Sequence, residues 1–215
     1  MDYKKENKAL IENLKWAGYL KSERLEKVLE KVERHFFVPK NLRNLAYKDI
    51  PLSIGFDQTI SQPTTVVIMT EALDVKPGNK VLEIGTGSGW QAAILSKLVG
   101  KRIVYTVERL EGLARFAKEN LKTAKIRNVK VFVGDGSLGL EKYKPYDRIL
   151  VTAASPEIPE TFLEQLKNDG KLVIPVGSQY IQTMFVVTKK GKDIIKEEIG
   201  NFVFVPLIGR KGFKS

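Results

Sequence analysis

Residues 80–100 read KVLEIGTGSGWQAAILSKLVG, and their pattern decides the fold. Val81-Leu82-Glu83-Ile84 is a short apolar run broken by one acid, the mark of a strand buried on both faces. Gly85, Gly87 and Gly89 alternate with Thr86 and Ser88, and a mostly apolar stretch, WQAAILSKLV, then runs to Gly100. The reading is strand, glycine turn, helix. Such a turn lets the backbone pass close to a ligand, and the following helix offers free N–H groups. The alternative is a tight turn with no ligand. A dinucleotide fingerprint would place glycine at position 90, where Trp90 stands.

Working outward, the alternation continues. IVYTVE (103–108), NVKVFVGD (128–135), DRILVTAA (147–154) and KLVIPVG (171–177) read as further strands. Helices are expected over 110–124 and 159–167, the second ending at Gly170. This is the rhythm of βαβ units around a parallel sheet. The stretch 183–207 reads as two strands about a turn with no helix between them, an antiparallel hairpin at one sheet edge. Upstream, 4–17 and 22–35 carry helical periodicity, with Ser22 as N-cap and Pro39 ending the second helix. His35, at that helix's end, reads as capping or packing. Residues 47–63 read as an ordered loop, neither helix nor clean strand, and 64–73 as a helix. The fold class is α/β, a doubly wound Rossmann-like sheet, mostly parallel, with a C-terminal hairpin and an N-terminal helical extension. One domain is expected over 1–215: helices 1–45, an active-site loop and helix 46–75, a βαβ core 76–178 and the hairpin 179–215.

Composition excludes several chemistries. The 215 residues hold no Cys and one His, so thiolate nucleophiles, iron–sulfur ligation and a multi-histidine metal site are ruled out within one chain, and no metal is expected. The charge is +11, carried by 27 Lys against 9 Arg and interleaved with Glu. That favours a solvated or thermophilic surface over an arginine-rich nucleic-acid face. There is no 18-residue apolar run and no signal-peptide pattern, so a cytoplasmic protein without membrane partner is expected.

Two acids close the ligand argument. Glu108 ends the second core strand, where a carboxylate can accept ribose hydroxyls. Asp135 ends the third, inside Gly134-Asp135-Gly136, where it can take an adenine amine. Each alone could be a helix N-cap; together, beside the glycine turn, they describe an adenosine pocket. The acid in the strand and the three glycines resemble motif I of class I methyltransferases, with a nicotinamide enzyme as the other reading. After the fourth strand stands Val151-Thr152-Ala153-Ala154-Ser155-Pro156, without the Asn/Asp-Pro-Pro-aromatic stretch of amino-methylating nucleic-acid enzymes. With no evident base, thiol or metal, the fitting acceptor is one already ionised. A carboxylate, with a pKa of about 3.5–4, qualifies.

Nine segments in order carry a closer resemblance: HFFVP (35–39), AYKDIPLSIG (46–55), QTISQP (58–63), VLEIGTGSGWQAA (81–93), VYTVER (104–109), GDGS (134–137), PYDRILVTAA (145–154), LVIPVG (172–177) and FVPL (204–207). The chain resembles the protein-L-isoaspartate O-methyltransferases. The resemblance implies methyl transfer from S-adenosyl-L-methionine, leaving S-adenosyl-L-homocysteine, to the free α-carboxylate of L-isoaspartyl residues in damaged proteins and peptides. Closure of the ester to a succinimide would then return aspartate. Ser61 aligns with the active-site serine, expected to orient the acceptor carboxylate. Glu83, Gly85, Gly87, Gly89, Glu108, Asp135 and Gly136 align with cofactor positions, and Thr86, Arg109 and Thr152 are placed beside them. Gln58, Thr59 and Ile60 flank the serine, while Val205, Pro206 and Leu207 would lie over the substrate backbone. Asp57, Thr64, Thr65 and Ile208 depart from the pattern of many relatives. A monomer acting on isoaspartyl proteins, with no nucleic-acid partner, is expected. A nucleic-acid methyltransferase and an inactive cofactor-binding protein are the alternatives.

Overall fold

A computed structural model describes residues 2–214. The N-terminal extension holds α1 (Tyr3–Trp16) and α2 (Glu23–Lys31). Ser22 caps α2 by accepting from the Leu25 amide, as its position before the periodic stretch implied. Pro39 does not end this helix. The helical backbone is lost at Val32, and the chain continues as two 3-10 turns, Arg34–Phe37 and Lys40–Leu45. Past this break Arg34 and Phe37 are both fully buried. His35 is a packing residue. It stacks on Tyr3 with ring centroids 4.1 Å apart, and its Nδ1 lies 2.8 Å from the Tyr47 hydroxyl.

The segment expected to be irregular contains a hairpin, β1 (Leu52–Gly55) and β2 (Gln58–Ile60). Leu52, Ile54 and Ile60 are buried and Ser53 is exposed, so the period-two pattern exists but is only four residues long. Its two-residue turn, Phe56-Asp57, has φ of 55° and 56°. A tight hairpin demands positive φ at both positions, and Asp accepts that better than Phe. The Phe56 ring offsets its strain by lying against Gly112, in space that any Cβ there would occupy.

Next come α3 (Pro63–Leu73), β3 (Val81–Ile84), α4 (Trp90–Val99), β4 (Val104–Glu108), α5 (Glu111–Thr123), β5 (Val129–Val133), β6 (Tyr146–Val151), α6 (Glu160–Gln165), β7 (Leu166–Gly177), β8 (Gln182–Lys190) and β9 (Asp193–Phe202). The last helix is shorter than expected because β7 already begins at Leu166. The seven-stranded sheet runs β5-β4-β3-β6-β7-β8-β9; β3 to β7 are parallel, and β8 and β9 form the antiparallel edge. Val81 joins one core cluster and Leu82 and Ile84 the other, so both faces of β3 are buried. No helix is long and apolar enough to cross a membrane, among the described residues.

The chain winds from β3 through β4 to β5 on one side, and through β6 to β7 on the other. Between β3 and β6 the connections diverge, leaving a crevice at the strands' C-terminal ends.

Candidate active site

That crevice is a cleft with about 1020 Å³ of space including its mouth. Gly85, Thr86 and Gly87 form one lip, Glu108 and Arg109 a second, and Thr152 lies at the end of β6. Gln58, Thr59, Ile60 and Ser61 come in from the β1–β2 hairpin, and Val205, Pro206 and Leu207 from beyond β9. Gly136 closes the floor between Ile84 and Val107. The sequence therefore located most of the lining.

Glu108, only 7% exposed, takes the Gly87 amide on Oε2 (2.9 Å) and the Leu110 amide on Oε1 (3.0 Å). These bonds fix the carboxylate at the end of β4 and tie the glycine lip to it. Thr152 Oγ1 bonds the carbonyls of Ile84 (3.0 Å) and Gly85 (2.8 Å), stitching the ends of β3 and β6 together. Ser61 is half-buried, and its Oγ has no hydrogen-bond partner among the described residues. Its carbonyl accepts from Arg34 at 3.1 Å. Among the described residues, no His or Lys lines the cleft.

Three expected pocket residues lie elsewhere. Gly89 starts α4 and faces Ala117 and Leu121 of α5, serving helix packing. Asp135 turns its carboxylate to Ser137 and to the Arg210 amide (2.8 Å), with Gly209 packed so closely that no side chain fits there. Burial alone would raise the Asp135 pKa, but the bonds from Arg210 and Ser137 outweigh it and hold the group below the usual carboxylate value. Asp135→Ala is therefore expected to free the 209–211 segment as well as weaken the adenine side. Proteolysis near Arg210 should quicken even with saturating ligand; an unchanged cleavage rate would deny the anchoring role.

Glu83 is fully buried beneath the glycine lip. Its Oε2 lies 2.5 Å from Thr106 Oγ1, which lies 2.7 Å from Thr86 Oγ1, so it supports the cleft through two hydroxyls. Burial pushes its pKa from 4.5 up to about 8. The native state thus keeps a proton that the unfolded chain releases, and the resulting stability is full below the unfolded pKa. It is lost as pH rises through about 8, at up to ~1.4 kcal/mol per pH unit. Glu83→Gln, neutral throughout, should flatten this slope. Urea unfolding at acid and mildly alkaline pH is the measurement, and parallel curves for both proteins would mean Glu83 is ionised throughout.

Several lining residues carry no sequence signal. Val66, Met69, Val107 and Leu113 are apolar positions of ordinary core periodicity. Gln91 also lines the cleft; it donates to Thr70 Oγ1 (3.0 Å), while its buried Oε1 has no partner among the described residues. No group of three or more His, Cys, Asp and Glu side chains could hold a metal among the described residues.

Comparison with known proteins agrees with this geometry. The family described as Protein-L-isoaspartate(D-aspartate) O-methyltransferase matches residues 5–212. Relatives named protein-L-isoaspartate O-methyltransferase include one from Methanopyrus kandleri, 51% identical, covering 99% of this chain and 96% of that one. Another, from Dictyoglomus turgidum, is 49% identical over the same shares. A solved Plasmodium falciparum structure described under that activity, in complex with S-adenosyl-L-homocysteine, superposes with a TM-score of 0.84 at 28% identity, covering 94% of this chain and 98% of that one. With the crevice at the switch point, the acid-tipped β4 and a match along nearly its whole length, the chain belongs to the protein-L-isoaspartate(D-aspartate) O-methyltransferase family.

Proposed function

We propose that this chain is a repair methyltransferase, transferring the methyl group of S-adenosyl-L-methionine to the free α-carboxylate of L-isoaspartyl residues in damaged proteins and peptides. The ester then closes to a succinimide, and its hydrolysis returns part of the material to normal aspartyl linkage. The observation that carries the reading is a cofactor-type crevice whose acceptor side offers hydroxyl and amide groups but no base. When bound, the cofactor supplies an electrophilic methyl on a positively charged sulfur. A carboxylate acceptor is an anion at neutral pH and needs no proton removed.

The chain's own work is then alignment. Gly85, Thr86 and Gly87 offer close backbone approach, Glu108 an acceptor for ribose hydroxyls, and Gly136 a floor thin enough for the purine. Residues 58–61 and 205–207 face each other across the mouth and would hold the peptide between them. Ser61 would orient the acceptor oxygen by hydrogen bond and not act as a nucleophile, since no base lies beside it.

The test is methyl transfer to a peptide carrying L-isoaspartate beside its aspartyl twin, followed by mild base. Methyl incorporated into the isoaspartyl peptide alone and released as methanol is the expected result. Equal labelling of both peptides, or a base-stable methyl on nucleic acid, would sink the proposal.

A further inference from the structure

We infer that Arg34 is a positioning residue for methyl transfer, holding the Ser61 loop in register with the cofactor turn through a fork of hydrogen bonds to backbone carbonyls. The inference rests on the role given to Ser61 above. Arg34 is fully buried, unusual for an arginine without an ion pair. Its Nη1 donates to the carbonyls of Ala46 (2.7 Å) and Lys48 (3.4 Å), and its Nη2 to those of Ile50 (3.0 Å) and Ser61 (3.1 Å). Asp49, whose charge it feels most, spends both carboxylate oxygens on the Thr64 amide and hydroxyl at the start of α3.

The guanidinium also lies against the residue that follows the glycine turn. Its carbon sits 5.2 Å from the centroid of the Trp90 ring. Trp90 follows the glycine turn, lines the cleft, and is itself tied by its indole N–H to the Val32 carbonyl at 3.1 Å. One planar cation therefore touches the loop carrying the acceptor-side hydroxyl and the ring beside the methyl donor's site.

The chemistry of the fork explains the residue type. Two nitrogens in one rigid plane set the spacing between the 46–50 segment and Ser61, which a lysine ammonium, a single point on a flexible stem, cannot do. Burying the cation is costly, and burial lowers its pKa to about 10. Four neutral carbonyls offset that cost only while they stay converged, so the loop geometry and the charge sustain each other.

Arg34→Lys is expected to lower kcat by about ten- to a hundredfold, since displacement of reacting groups by roughly 1 Å has that effect. Affinity for S-adenosyl-L-homocysteine, by calorimetry, should stay within about twofold, because the Gly85–Glu108 lip is untouched. The decisive measurement is the cycle with Ser61→Ala. If Arg34 acts through Ser61, the double variant should be no slower than Ser61→Ala alone. Losses that multiply, with Ser61→Ala itself impaired, would overturn the inference and leave the Ser61 role standing. A fully active Ser61→Ala would instead remove the Ser61 role. Cofactor affinity falling in step with kcat would mean that Arg34 serves the Trp90 turn, also overturning it. Should Arg34→Lys not fold, Arg34→Gln, which removes the buried charge, takes its place in the cycle. Failure of both to fold would make Arg34 a determinant of the fold alone.

Discussion

Gly85→Ala should abolish usable cofactor binding while leaving the sheet folded. Gly85 has φ of +92°, where a side chain adds strain of about 1–2 kcal/mol. The new Cβ would also stand 2.5 Å from Thr152 Oγ1. Thr152 is not free to swing aside, because that hydroxyl holds the carbonyls of Ile84 and Gly85 together. Moving it forfeits hydrogen bonds of ~1 kcal/mol each at the junction of β3 and β6. The lip can relieve the clash only by shifting toward the cleft, where the ligand would lie. These contributions together correspond to an affinity loss on the order of a hundredfold or more. Calorimetry with S-adenosyl-L-homocysteine, beside a thermal unfolding curve, separates lost binding from lost fold. Wild-type affinity in the variant would show that the turn does not approach the ligand.

For Ser61→Ala the large effect falls on turnover. One positioned hydrogen bond on the acceptor oxygen is at stake, so kcat should fall by about ten- to a thousandfold. Cofactor affinity should barely change, since Ser61 reaches the glycine lip only across the cleft. The protein should remain as stable as the parent, because the anchored atom of Ser61 is its carbonyl, which alanine keeps. A variant with full activity on isoaspartyl peptide would take Ser61 out of the reaction.

Glu108 was legible in the sequence because two acids at the ends of consecutive strands, beside a glycine turn, mark a pocket that either acid alone would not. At Asp135 the same logic was incomplete. The sequence marks the end of β5 but not that Arg210, 75 residues on, returns its amide to that carboxylate. Glu83 was found as a motif residue, but strand alternation does not tell a lining acid from one that supports the lip through Thr106 and Thr86. The β1–β2 hairpin escaped notice because its strands are four and three residues long and its turn has Phe and Asp where Gly or Asn is the usual signal. Arg34 was invisible for a deeper reason. Its partners are backbone carbonyls, which every residue possesses, so nothing nearby distinguishes it among 36 cationic side chains.

The wall formed by Val205, Pro206 and Leu207 is fastened just past the end of β6: the Ala154 amide donates to the Val205 carbonyl (2.8 Å), and the Leu207 amide to the Ala154 carbonyl (2.7 Å). A second tie, the Phe213 amide to the Leu207 carbonyl (2.8 Å), comes from the chain that follows, and the wall itself follows β9, the last strand of the sheet. Translation therefore delivers it after every piece of the scaffold. A nascent chain carries all seven strands before it carries a closed cleft, and folding and competence become separate events in its life. Loss of the residues beyond Phe204 would likewise leave a sheet with no far side to its mouth, a catalyst disarmed without being unfolded.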